Sequence, residues 1–230
     1  KITDCKIYNI DKMGYASDET LIKKSICSES KKRYKLINID LVNEEDLKIA
    51  INDIKPDLVM HLAAESHVDR SIEGPKAFIE SNIIGTFNLL QWCLSYYKTS
   101  LDYKNNFRFH HISTDEVFGS LGKEGSFNEG TPYDPRSPYS ASKAASDHLV
   151  RAWNETYKLP TVITNCSNNF GPYQFPEKLI PVVILKLMRG EKVPLYGDGE
   201  NIRDWLFVED HVNALLEVAE RGRISETYCI

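Results

Sequence analysis

Four polar residues at the end of an apolar run, Ser113, Thr114, Asp115 and Glu116, are where this 230-residue sequence first concentrates chemistry. They follow Phe107 to Ile112, whose apolar/polar alternation has the two-residue period of a strand. In an open α/β sheet, ligands bind in the crevice outside the carboxyl ends of the strands. Two hydroxyls followed by two adjacent carboxylates at such an end form a candidate reaction centre. Taken alone, the string also reads as a strand-to-loop turn with solvated acids.

The next element shifts that balance. In SPYSASKAASDHLV, Ser137 fits an N-cap and Pro138 the first helical position. Tyr139 and Lys143 then lie one turn apart on one helix face. A phenol titrates near 10, so serving as a base at neutral pH needs a shift of roughly three units, about 4 kcal/mol. An ammonium about 4 Å away supplies about 1 kcal/mol in water and about 4 kcal/mol at an effective dielectric of 20. The pair therefore works as a base only in a partly dry site, or with help from a second cation such as an oxidised nicotinamide. A YxxxK spacing arises often by chance; together with STDE a short loop upstream it is a strong signal.

Strand signals alternate with helical ones, which predicts a parallel sheet covered on both faces. Strands are expected at Cys5 to Ile10 (ending in Asp11), Tyr34 to Ile39, Leu58 to Leu62, Phe107 to Ile112, Thr161 to Cys166 and from Thr227. The Leu58 strand reads as buried. Short apolar pieces lie at Val193 and Trp205. Helices are expected at Glu44 to Asn52, Pro75 to Tyr97, from Pro138, at Ile180 to Arg189, and in a segment ending near Arg221. Asp11, at a strand end, suits the two ribose hydroxyls of NAD and repels a 2′-phosphate; a turn role fits the position equally. Small side chains at Ala63 and Ala64 allow a cofactor close approach or simple packing. No GxxGxxG turn is present, and the order 3-2-1-4-5 leaves a mid-sheet strand unaccounted for between the Cys5 and Leu58 strands. The expectation is a piece of a longer protein, truncated at both ends and inactive as it stands.

Composition narrows the class. A net charge of −5 and the lack of a basic stripe argue against nucleic-acid binding, and KKRYK at Lys31 to Lys35 reads as a solvated loop. No apolar stretch has membrane-span length, so no membrane partner is expected. Five scattered cysteines without a CxxC pair read as reduced thiols of a cytoplasmic protein, three of them on strands. The histidines show no metal spacing, and none is expected to bind a metal; His110 and His111 point to opposite faces of a strand.

The strings LAAESHVDRS, STDEVFG, SPYSASKAASDH, SNNFGPYQFPEKLIP and GDGENIRDWLFVEDH run in this order through the chain. Together they resemble the extended short-chain dehydrogenase/reductase superfamily, and within it the nucleotide-sugar dehydratases of the NAD-dependent epimerase/dehydratase family. The resemblance implies a Rossmann-type doubly wound parallel sheet with the beginning of a smaller substrate-binding domain. Residues 1–166 would be the NAD-binding domain and residues 167–230 a mixed segment contributing to the nucleotide-sugar domain. It implies NAD as cofactor, dTDP-glucose or a similar nucleotide sugar as substrate, a homodimer at full length, and a step in deoxysugar biosynthesis.

By the same resemblance, Thr114, Asp115, Glu116, Tyr139 and Lys143 are catalytic. The cofactor would meet Asp11, Lys12, Met13, Asp40, Leu41, Leu62, Ala63, Ala64, Ser66, Ser81 and Asn169, besides Tyr139 and Lys143. Ser66, His67, Thr114 and Asn168 would reach the sugar. Lys178 and Leu179 would hold the diphosphate, and Pro194 to Tyr196 the base. Arg203 is a candidate diphosphate clamp, since its guanidinium fork suits phosphate oxygens; a surface ion pair with Asp204 or Glu209 is its other reading. Tyr139 would take the C4 hydroxyl proton with Thr114 holding that oxygen, and Lys143 would lower the pKa of Tyr139. Glu116 would remove the C5 proton and Asp115 would protonate the departing C6 hydroxyl, so the two carboxyls need separated pKa values. The alternatives are an NAD-dependent nucleotide-sugar epimerase, a dehydratase of a UDP- or GDP-sugar, or a non-catalytic NAD-binding scaffold. The carboxylate pair speaks against the epimerase, and retention of all five catalytic candidates speaks against the scaffold.

Overall fold

The protein was analysed as a computed structural model, which describes residues 5–26, 31–99, 107–122, 124–195 and 198–230. β1 (Ile7–Asp11) and β2 (Tyr34–Asn38) form a parallel pair, with Ile7 opposite Tyr34 and Asp11 opposite Asn38. A second parallel sheet has the order β3 (Leu58–His61), β4 (Arg108–Thr114), β5 (Thr161–Cys166), β8 (Thr227–Cys229). β6 (Asn168–Phe170) and β7 (Trp205–Phe207) make a short parallel ladder of their own. Helices separate the parallel neighbours, as a parallel connection requires. The fold is a Rossmann-type α/β sheet.

β4 and β5 read as continuous buried strands because helices cover them; Phe109 and Val162 are fully inaccessible. One core cluster joins Leu47 and Ile51 of α2 (Glu44–Ile54) to Leu90 and Cys93 of α5 (Gly85–Thr99). Phe109, Ile163 and Val150 complete it from β4, β5 and α6 (Pro138–Tyr157). α6 starts as its sequence dictates. Ser137 caps the Ser140 amide, Ser140 returns a bond to the Ser137 backbone, and Pro138 occupies the first turn.

Several expectations are corrected. The helix predicted from Pro75 is not regular: α4 (Pro75–Phe78) passes into a π-helical stretch, Ile79–Ile84, before α5. That stretch turns Asn82 inward, where its amide bonds the backbone N and O of Glu65 and the hydroxyl of Ser142. π-Helical turns of this kind concentrate at functional sites. The strand expected at Phe107 to Ile112 runs on through Thr114, so Ser113 and Thr114 lie in the sheet and Asp115–Phe118 form a 3-10 turn. The Leu58 strand is not buried throughout: Leu58 and Leu62 are 36% and 56% exposed, at an edge that no strand pairs among the described residues. α1 (Glu19–Ser25), α3 (Val68–Glu73) and β6 escaped the sequence reading, and the Val193 piece forms no regular element. Cys5 precedes β1 and Cys93 lies in α5, leaving Cys166 and Cys229 as the strand cysteines among those described; Cys27 lies outside the described residues.

The turn that carries the two carboxylates ends at Gly119, which has φ +88°, and a Cβ there would sit 2.6 Å from the Asp134 carbonyl oxygen. Asp134 is fixed in turn by its amide bond to the Val117 carbonyl, 2.9 Å. Gly119→Ala is therefore expected to destabilise the protein by about 1–3 kcal/mol, against about 1 kcal/mol for Ser137→Ala at the cap of α6. Urea unfolding of the two variants checks the order.

Candidate active site

The carboxyl ends of β1, β3, β4 and β5 deliver the predicted residues to one side of the sheet. Thr114 ends β4; its hydroxyl accepts from the Glu116 amide (3.2 Å) and donates to Asp115 Oδ1 (3.3 Å). Tyr139, in the first turn of α6, is buried beside Thr114, with Glu116 and Asp115 close enough to repel its phenolate. Lys143, one turn on, is 4% exposed and donates to the Ile112 carbonyl at 2.8 Å. Thr114, Asp115, Glu116 and Tyr139 thus stand together, and Lys143 anchors α6 to β4 beside them.

The electrostatics correct one expectation. Burial, then Glu116, pushes the Tyr139 phenol up rather than down. Lys143 spends its hydrogen bond on a carbonyl of β4, and burial lowers its own pKa. Helical spacing places the lysine near the tyrosine but does not by itself make a phenolate. Burial also raises both Asp115 and Glu116, yet the charges that face them differ. Among charges, Asp115 meets the like charge of Asp204 and then Arg203; Glu116 meets first the like charge of Asp115 and then the cations Lys178 and Arg203.

The remaining candidates are positioned as follows. Lys178 Nζ donates to the Ser66 carbonyl at 2.7 Å and so spans from the start of α7 (Leu179–Met188) to the loop after β3. Arg203 is exposed; its Nη1 donates to the Ile202 carbonyl (2.8 Å), and its charge reaches both carboxyls of the site. His67 caps α3 through Nδ1, 3.5 Å from the Arg70 amide, which is the structural use of a lone histidine. Asn168 and Asn169 open β6 beyond the end of β5; Asn169 Nδ2 donates to the Ser167 carbonyl (3.1 Å). Asp40 accepts from the Val42 amide and Leu41 packs on Gly85, both at the end of β2. Ser81 sits on the π-helical stretch, Leu179 starts α7 and is 47% exposed, and Pro194 is exposed in the loop after α7. Tyr196 lies outside the described residues.

The cofactor candidates fit a dinucleotide. Asp11 Oδ1 accepts from the Met13 amide at 2.7 Å, and Met13 turns with φ +53° so that the loop folds back over the strand end. Lys12 closes on Glu65 at 2.6 Å across the crevice. Small Ala63 and Ala64 follow β3, Leu62 among them exposed toward open space, and the buried Asn169 Oδ1 lacks a protein partner. An orphaned buried acceptor facing a crevice needs a donor from elsewhere.

Sequence reasoning missed three groups. Asn82 hides inside a helix, and only the π-turn aims it. Tyr15 donates to Glu177 (2.9 Å) while Arg70 stacks 3.8 Å above the Tyr15 ring, joining loops far apart in sequence. Asp147 is fully buried beneath the site; its place four residues after Lys143 was the available signal.

A sequence family described as GDP-mannose 4,6 dehydratase matches residues 3–230. The chain belongs to this family. Among its relatives, dTDP-glucose 4,6-dehydratase of Salmonella typhimurium is 55% identical over 100% of this chain and 66% of that protein. The dTDP-glucose 4,6-dehydratase of Neisseria meningitidis is 53% identical over 97% of this chain and 63% of that protein. The chain thus spans a little under two thirds of the length of these relatives. Of solved structures, a dTDP-glucose 4,6-dehydratase from Streptomyces venezuelae with NAD bound superposes with TM-score 0.90 at 39% identity, covering 100% of this chain and 67% of that one. A UDP-glucuronic acid 4-epimerase from Bacillus cereus, in complex with UDP-glucuronic acid and NAD, gives 0.82 at 27% identity, covering 97% and 68%.

The buried histidines of β4 give a direct check. His110 and His111 are both pushed down to about 4, first by burial. An unfolded histidine titrates near 6.5, so these two make stability fall as pH drops from about 6.5 to 4. The raised Asp115 and Glu116 act in the opposite sense near their own range, so a melting curve would mix the two. Nitrogen-15 NMR separates them. Both imidazoles are expected to stay neutral until pH approaches 4, and midpoints near 6.5 would contradict the burial seen here.

Proposed function

We propose that the protein, at its natural length, is an NAD-dependent dehydratase that converts dTDP-glucose to its 4-keto-6-deoxy product. The observation that carries this reading is the pair of half-buried carboxyls, Asp115 and Glu116, beside the buried Tyr139. The relatives at 50–55% identity bear the same activity in their names. NAD would be held by Asp11, the Ala63–Ala64 turn, Lys143 and Asn169, and supplies the acceptor for the C4 hydride and its return to C6.

The residues divide the work as follows. Thr114 holds the C4 oxygen, and the Tyr139 hydroxyl exchanges the C4 proton. Because burial and Glu116 raise Tyr139, its phenolate needs a facing cation, and a bound nicotinamidium is one. Oxidation at C4 acidifies the C5 proton. Glu116, with Lys178 and Arg203 near it, takes that proton. Asp115, raised by burial, gives its proton to the departing C6 hydroxyl. The two roles require one carboxyl ionised and the other protonated when the substrate is bound.

Residues 1–166 hold the cofactor on this reading, and residues 167–230 bring Asn168, Lys178 and Arg203 to the sugar and diphosphate. Pro194 and Tyr196 belong to the base-binding side. Exposed Ile72, Ile79, Ile84 and Phe87 on successive helices support a homodimer. No helix among the described residues is long and apolar enough to cross a membrane. The free thiols of Cys5, Cys93, Cys166 and Cys229 fit a reducing cytoplasm. A 4-epimerase shares Tyr139 and Lys143 but has no use for an acid and a base at C5 and C6.

In the full-length protein, Tyr139→Phe is expected to lower C4 oxidation by at least about 10²-fold, the lower range for a positioned acid–base group. Glu116→Gln spares that step and blocks elimination, so absorbance of reduced nicotinamide rises on mixing with dTDP-glucose and persists. Wild-type turnover by Glu116→Gln would remove Glu116 as the base, and wild-type inertness toward dTDP-glucose alongside turnover of a UDP- or GDP-sugar would reassign the substrate.

A further inference from the structure

Beneath Lys143 lies a buried polar cluster centred on Asp147, a carboxyl that the reaction as drawn does not use. Lys143 is 4% exposed, and an isolated ammonium at such depth gives up its proton rather than remain charged. Its bond to the Ile112 carbonyl (2.8 Å) supplies a dipole, not a charge. Asp147, one turn further along α6, is 0% exposed. Its Oδ2 accepts from the Ser113 hydroxyl (2.9 Å), the Tyr133 hydroxyl (2.8 Å) and Asn165 Nδ2 (3.3 Å). Its Oδ1 lies 3.1 Å from His111 Nε2. A carboxyl that takes donors from β4, β5 and the loop before α6 is built to be ionised.

The other titratable groups that face Lys143 carry no charge near neutrality. His61 from β3 and His111 from β4 are held neutral by burial, the Cys166 thiol from β5 is pushed up to about 11, and the Tyr139 phenol on α6 is raised. Arg151 reaches Asp147 only through Tyr133, whose hydroxyl it meets at 2.8 Å. We propose that Asp147 is a positioning residue, the buried counter-charge that keeps Lys143 an ammonium and holds it against the end of β4. The inference rests on the proposed function only in treating Lys143 as part of the reaction site.

Lysine labelled with carbon-13 at Cε reads the proposal in the full-length protein without turnover, the Lys143 signal being assigned by its loss in Lys143→Arg. Asp147→Asn is expected to lower the Lys143 midpoint by at least about one pH unit, a tenfold change in proton affinity. Tyr133→Phe, which removes one hydrogen bond and leaves the charge, moves it by less than half of that. The alkaline limb of kcat/KM follows the Asp147→Asn shift, which a purely structural role would not produce. If Asp147→Asn does not fold, the wild-type Asp147 carboxyl carbon gives the answer: it must read as ionised at pH 7 and move again at the Lys143 midpoint. An unmoved Lys143 midpoint in folded Asp147→Asn, or a protonated Asp147 at pH 7, overturns the proposal. Failure of wild type to convert any nucleotide sugar would sink the dehydratase reading alone and leave this titration intact.

Discussion

β4 is buried on both faces yet carries His110, His111, Ser113 and Thr114, and the rest of the molecule is arranged around satisfying them. A buried polar group without a partner costs about 1–3 kcal/mol, so four in one strand would consume most of a domain's margin. His110 meets Thr164 of β5 (3.1 Å), His111 meets Ser146 and Asp147 of α6, Ser113 donates to Asp147 and Thr114 to Asp115, while Nδ1 of each histidine finds no partner among the described residues. The register of β4 with β5 and the rotation of α6 are thereby set by hydrogen bonds as well as by the apolar packing of Phe109 and Val150. The same rotation brings Tyr139 onto Thr114.

The crevice above that floor is closed by segments distant in sequence. Asn82 fixes the loop after β3 by satisfying both backbone groups of Glu65, and Lys178 then ties that loop to the start of α7. Lys12 and Tyr15 reach over from β1 to Glu65 and Glu177. These contacts are partly exposed, and ion pairs of that kind contribute little stability. Their effect is on position, and through Lys178 and Arg203 on the charge that Glu116 feels.

Depth decides the protonation states. The two carboxyls of the site are both raised, first by burial and then by a neighbouring like charge. Asp147, deeper still, is lowered, because His111, Lys143 and Ser113 outweigh its desolvation. Asp147 thus behaves oppositely to Asp115 and Glu116 for reasons of donors and neighbouring charge rather than burial.

Local information was enough for the parallel α/β class and the start of α6, and it singled out Thr114 to Glu116 and Tyr139 to Lys143 as candidates. Strand alternation, the capping box at Ser137 and an i, i+4 spacing act over a few residues and are written in the chain. The boundaries it misplaced have local causes: β4 runs on through Thr114 because β5 pairs it that far, and the helix from Pro75 admits a π-turn because Asn82 finds partners inside. Only the tertiary structure decided that Tyr139 is raised rather than lowered, that Lys143 turns to the Ile112 carbonyl, and that Asp115 and Glu116 are both raised by burial. A pKa depends on depth and on charges brought from other elements, and neither is a property of a residue's neighbours along the sequence.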